Sequence, residues 1–74
     1  MTIRHLRIFI EVAKSGNMSK AAERLFISQP TVSQAISELE EYYGVLLFER
    51  LNRRLYITEI GKKLFFYAKD SKGI

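Results

Sequence analysis

Apolar residues recur along this chain at helical spacing, with one interruption. Leu6, Phe9, Ile10 and Ala13 follow the i, i+3, i+4, i+7 pattern of a buried stripe and predict a first helix from about Ile3 to Lys14. Ser15-Gly16-Asn17 stops it, with Gly16 suited to a left-handed C-cap. Ser19 is placed to cap a short second helix whose Ala21, Ala22 and Leu25 face inward, the two alanines letting a neighbouring helix come close. Ser28 repeats the device, and Pro30 is tolerated in a first turn whose N–H groups lack helical partners. A third helix then runs to about Tyr43 and ends at Gly44, with Val32, Ile36, Leu39 and Tyr43 forming its buried stripe.

The interruption follows. Leu46, Leu47 and Phe48 are apolar anchors, Leu55, Tyr56 and Ile57 are strand-prone, and Glu49 to Arg54 between them reads as a short hairpin with Asn52 at its turn. A lone two-stranded hairpin is marginal in water, so Phe48, Leu55 and Ile57 must lean on the helices and leave an exposed basic tip. Thr58 caps a fourth helix with Glu59 in its first turn. Ile57, Ile60 or Gly61, Leu64, Tyr67 and Ala68 then repeat at helical spacing, and Phe65 and Phe66 widen the apolar surface beyond one face. Such a helix meets another subunit or a further domain. The last residues, Asp70 to Ile74, read as frayed.

One polar surface stands out in this pattern. The stretch ISQPTVSQAI, Ile27 to Ile36, carries no charge. Gln29, Ser33 and Ser37 lie along one face of the third helix, flanked by Pro30, Thr31 and Gln34.

Composition narrows what this can mean. A chain of 74 residues makes one small domain that buries only roughly 60% of its unfolded surface. With 47% hydrophobic residues it has the composition of a folded protein. No cysteine is present, which removes disulfides and thiolate metal sites and fits a reducing compartment. No apolar run approaches the roughly 20 residues of a membrane span, and the N-terminus lacks the layout of a signal peptide. A soluble cytoplasmic protein with no membrane contact is expected. The net charge is +4, and all of the excess lies in residues 45 to 74, where seven basic side chains face three acidic ones. That asymmetry points to an anionic partner near the C-terminal half.

Catalysis finds little support. His5 is the one histidine, and the carboxylates fall mostly at helical spacings typical of solvated surface. One imidazole and no thiol make no metal site, and the scattered glycines make no phosphate loop, so no enzyme activity and no cofactor are expected.

Nucleic-acid binding uses what is present. Two short helices joined by Phe26-Ile27-Ser28 form a helix-turn-helix, whose second helix puts its N-terminal residues into a major groove. Gln offers a donor and an acceptor to adenine at once, Ser and Thr hydroxyls suit bases or phosphates, and Thr31 or Pro30 can touch a thymine methyl. Helix N-termini at Ser19 and Ser28 would face phosphates, while Arg50, Arg53 and Arg54 of the hairpin supply charge to the backbone or minor groove. Glu38, Glu40 and Glu41 sit at the far end of the third helix, away from that surface. From the residues alone, DNA binding and a winged helix used for protein interaction both stand.

The string AAERL, then SQPTVSQAI, LE, G, LFER and TE-x-G, within Leu6 to Leu64, closely resembles the N-terminal DNA-binding domain of LysR-type transcriptional regulators. The resemblance implies a mainly α fold: a winged helix-turn-helix of three helices and a two-stranded β wing in residues 1–57, followed in 58–74 by a linker helix that pairs two subunits. It implies sequence-specific binding of double-stranded DNA at a pseudo-palindromic operator, a homodimer through that helix, and higher oligomers of the full-length protein. A small-molecule effector would act through a C-terminal domain that these residues do not contain, making the chain a fragment. Carried over by position, base contacts fall on Gln29, Pro30, Thr31, Ser33 and Gln34, and the wing arginine on Arg53 or Arg54. Ser19, Ser28, Thr31 and Arg50 fall on positions that hold phosphates or brace the wing. Ile60, Leu64, Phe65, Tyr67 and Ala68 fall on the dimerisation helix. Two departures are visible: Gln34 stands where many family members have arginine, which moves the expected preference from guanine to adenine or to none. Leu51-Asn52 replaces a commoner small or glycine-containing wing turn.

Overall fold

A computed structural model describes residues 3–70. Its elements run α1 (Ile3–Ser15), α2 (Met18–Leu25), α3 (Gln29–Tyr43), β1 (Phe48–Leu51), β2 (Arg54–Ile57) and α4 (Glu59–Asp70). Asp70, expected to be frayed, is the last residue of α4, and the rest of that stretch, 71–74, lies outside the described residues.

Helix α1 turns a slightly different face inward than its spacing predicts. Ile8, Phe9 and Val12 are buried, while Leu6, Ile10 and Ala13 are only partly covered at the rim of the core. Gly16 ends the helix at φ +67, a left-handed conformation, and its N–H reaches the Val12 carbonyl at 2.8 Å. The cap of α2 is Asn17, not Ser19: Asn17 Oδ1 accepts the Lys20 N–H at 3.0 Å, which leaves Ser19 inside the first turn and exposed. Three cap-forming side chains compete within Ser15 to Ser19, and the reversal at Gly16 puts Asn17 in the extended conformation that a cap requires. Across the turn, the Ile27 N–H bonds back to the Ala22 carbonyl at 3.0 Å, and Phe26 takes a left-handed φ of 57°.

Ser28 caps α3 as expected, its Oγ 3.3 Å from the Thr31 N–H, with Pro30 in the first turn. The buried face of α3 is Val32, Ala35, Ile36 and Leu39. Tyr43, expected on that stripe, is 41% exposed, because the last turn runs past the edge of the bundle, and Ala35 fills the gap the stripe skipped.

Strands β1 and β2 pair antiparallel in the register Phe48 with Ile57, Glu49 with Tyr56, Arg50 with Leu55 and Leu51 with Arg54. Asn52 and Arg53 make the two-residue turn, both at positive φ, 51° and 64°. Phe48 anchors the hairpin: its ring lies 5.4 Å from that of Phe9, tilted by 51°. Burying one such ring stabilises the fold by about 1.5–3 kcal/mol.

A polar joint fixes the hairpin and α4 to the helices. Glu40 Oε2 accepts the N–H groups of Leu47, at 2.8 Å, and Phe48, at 3.3 Å, so this carboxylate is a structural bond and not solvated surface. Thr58 donates its N–H to the Leu47 carbonyl at 3.0 Å and its hydroxyl to the Leu46 carbonyl at 2.7 Å. The same hydroxyl accepts the Gly61 N–H at 3.0 Å, which is the expected cap of α4. Gly61 is the inward residue where Ile60 or Gly61 was open, and Ile60 is exposed.

Candidate nucleic-acid interface

Helix α3 is held by its apolar face, and this determines what it presents. Gln29, Pro30, Thr31 and Gln34 are exposed, Ser33 is partly covered, and Ser28 is exposed at the cap. The Ser28 and Thr31 hydroxyls lie 2.7 Å apart, so each is already engaged at the helix N-terminus.

The expected residues divide into two groups. Gln29 lines an open groove between the start of α2 and the hairpin, together with Ser19, Arg50, Arg53 and Arg54. Pro30, Thr31 and Gln34 lie outside the groove on the free face of α3. Arg50 shares the core-facing side of the hairpin with Phe48, and its Nη2 reaches Met18 Sδ at 3.3 Å, which links the hairpin to α2. Arg54 lies on the opposite, outward side with Tyr56, and Arg53 is at the tip.

The groove adds Asn17, Lys20 and Tyr56, which the sequence reading left out. Alternation along β2 carried the signal for Tyr56, since Arg54 and Tyr56 must share a face. Lys20 becomes visible only once α2 is known to start at Met18. Lys20, Arg50, Arg53 and Arg54 give this wall a concentrated positive field beside the uncharged tip of α3.

Beyond the groove, His5 of α1 lies 2.6 Å from Glu38 Oε1. Gln34 donates through Nε2 to Glu38 Oε2 at 3.5 Å. The His5 hydrogen bond, with that from Gln34, holds the Glu38 carboxyl below its usual pKa range. Glu11 and Arg24, 3.2 Å apart, tie α1 to α2.

The residues assigned to a dimer face also divide. Ala68 is 1% exposed and already closed within the single chain, and Leu64 and Phe65 are partly covered by packing on the core. Gly61, Leu64, Phe65 and Ala68 form the inward face of α4, and so Ala68 offers a partner no surface. Ile60 and Tyr67 are exposed, Tyr67 at 75%, and with Tyr43 and Val45 they line a shallow apolar groove.

Among the described residues no group of three or more His, Cys, Asp or Glu side chains is placed to hold a metal ion, and no helix is long and apolar enough to cross a membrane.

Three helices with α3 held outward, and a hairpin beside it, define a winged helix-turn-helix. Residues 3–62 match the family model described as bacterial regulatory helix-turn-helix protein, lysR family. The RuBisCO operon transcriptional regulator of Allochromatium vinosum is 41% identical over 69 residues, 93% of this chain and 23% of that protein. The CbnR DNA-binding domain in complex with DNA superposes with a TM-score of 0.88 at 40% identity, covering 93% of this chain and 79% of that one. For the BenM DNA-binding domain in complex with catB site 1 DNA the TM-score is 0.89 at 40% identity, over 93% and 77% of the two chains. The chain belongs to the LysR family of bacterial helix-turn-helix regulators. It spans about a quarter of the length of the curated relatives it matches.

Proposed function

We propose that this chain is the DNA-binding part of a transcriptional regulator and reads double-stranded DNA sequence-specifically. In this reading α3 enters the major groove, Gln29, Pro30, Thr31, Ser33 and Gln34 meet base edges, and the hairpin lies on backbone or minor groove. The observation that carries it is the division of labour around α3. An uncharged, exposed N-terminal face stands beside a groove lined by Lys20 and three hairpin arginines, so attraction to phosphate and discrimination of bases fall to different parts. The family membership and the likeness to two DNA-binding domains bound to DNA support it.

Residues 58–74 act in this reading as the start of a linker helix. A homodimer closed through the exposed apolar side of α4, around Ile60 and Tyr67, places one α3 in each half of a pseudo-palindromic operator. In this reading the chain is part of a longer regulator that works in the cytoplasm, forms higher oligomers and answers a small-molecule effector through another domain; the greater length of its relatives supports the further domain.

Titrating the chain with random and with selected duplex DNA over a range of salt tests the reading. Gln29→Ala is expected to cost about 1–3 kcal/mol on the selected site and little on random DNA. Equal losses on both would remove Gln29 from base recognition. No salt-dependent binding of any duplex would leave the fold as a protein-interaction module.

A further inference from the structure

Glu38 is one turn beyond Gln34 on α3, and it is held from the side by α1. An ionised carboxylate only accepts hydrogen bonds, so both of its partners must donate: His5 through Nε2 at 2.6 Å to Oε1, and Gln34 through Nε2 at 3.5 Å to Oε2. The Gln34 contact, at the long end of hydrogen-bond length, favours the orientation of that amide with Nε2 toward Glu38. With its nitrogen turned back along the helix toward Glu38, the amide cannot flip without placing its carbonyl oxygen against a negative charge.

We infer that Glu38, braced by His5, is a positioning residue that fixes the Gln34 amide in one orientation and thereby gives α3 a preference for adenine over guanine at the base pair Gln34 meets. The inference rests on the reading that Gln34 faces bases. Adenine presents a donor and an acceptor on its major-groove edge, N6 and N7, whereas guanine presents two acceptors, O6 and N7. A fixed amide keeps its carbonyl and one N–H for the adenine pattern, and its carbonyl opposes guanine O6. A free amide pays to be ordered on binding and rotates to suit either purine. Geometry supports the brace as well as the contact. His5 is largely covered while Glu38 is half exposed, so the imidazole is the anchored end of the relay and Gln34 the free end. The same two hydrogen bonds hold the Glu38 carboxyl below its ordinary range, so the brace favours the ionised acceptor.

Selection of bound sites from random duplex DNA, run in parallel on wild type, Gln34→Ala, Glu38→Ala, Glu38→Gln and the double alanine variant, tests this. Gln34→Ala is expected to erase the adenine preference at one base pair. Glu38→Ala should weaken adenine over guanine at that same pair by about two- to tenfold, the range that ordering one long side chain in advance is worth. It should leave the other positions unchanged while raising affinity for random DNA slightly by removing a negative charge. Glu38→Gln, which keeps an acceptor, should retain part of the preference, and in the Gln34→Ala background Glu38→Ala should add nothing at that position. A uniform change at all positions, or the same effect with Gln34 already removed, would overturn the inference and leave Glu38 as a surface charge. Should Gln34→Ala alter no position, Gln34 is not a base contact, and the inference falls with that reading. Melting temperature and random-DNA affinity of each variant separate a folding defect from a loss of discrimination.

Discussion

Glu40 Oε2 takes the backbone N–H of Leu47 at 2.8 Å, seven residues further along the chain and beyond the reversal at Gly44. The carboxylate therefore closes the loop that delivers Leu47 and Phe48 to the core, and it does so from the same helix that carries the polar face.

Glu40→Ala is accordingly expected to destabilise the fold by about 2 kcal/mol, the range for hydrogen bonds to a charged group. For a chain of this size that lowers the melting temperature by roughly 8–16 °C. Glu40→Gln, which keeps one acceptor, should lose less. Thermal unfolding followed by circular dichroism checks both, and an unchanged midpoint for the alanine variant would show that water replaces the carboxylate without loss.

Gly61 lets α4 approach the Leu47 carbonyl. A Cβ there would collide with that oxygen and come within 2.8 Å of Ile57 Cγ1. Neither the backbone carbonyl nor the start of the helix can yield far, because Thr58 binds them together. Gly61→Ala should cost about 1–3 kcal/mol despite its better helix propensity. A gain in denaturant midpoint would mean that the joint relaxes freely.

Arg53 occupies the second position of a two-residue turn with both residues at positive φ, a position that favours glycine. Arg53→Gly should relieve about 1 kcal/mol of backbone strain and raise the melting temperature. If the hairpin tip meets phosphate, the same variant should weaken binding to all sequences alike and reduce the salt slope by about 0.9. Higher stability with an unchanged slope would place the Arg53 guanidinium away from the DNA backbone.

Glu38 titrates below its usual range because His5, and after it Gln34, bond to the ionised form. A folded-state pKa below the unfolded one means that the folded chain holds fewer protons in acid. The contribution is therefore fully present above the ordinary glutamate pKa and is lost as pH falls through the lowered value. His5→Ala should raise the Glu38 titration midpoint, measured by carboxyl NMR, and flatten the decline of stability in that acid window. An unmoved midpoint would show that His5 is not the main cause.

Much of the fold was open to sequence reading because its signals are local. Ser28 with Pro30, the Gly44 stop, Asn52 at the turn and Thr58 ahead of α4 all act within a few residues of their place in the chain. Readings went astray where a decision belongs to tertiary structure. Ser19 and Asn17 are both competent caps, and only the chain path after Gly16 chooses between them. Tyr43 continues a regular stripe past the edge of the bundle, where no core remains to receive it. Glu40 resembled its neighbour Glu41 until Leu47 returned to meet it. At the candidate interface, the exposed face of α3 was legible from residue type and spacing. The grouping of Gln29 with Lys20, Tyr56 and the arginines required the hairpin to be set against α2.

The joint among Leu46, Leu47, Thr58 and Gly61 pins the start of α4 to the chain that enters the hairpin. In a dimer closed through α4, the two reading heads would be the ends of one stiff caliper, its opening set by that joint. The separation of half-sites such a dimer accepts would then be a mechanical constant of the chain, and lengthening the operator by a base pair or two would be resisted by bending DNA sooner than by bending protein.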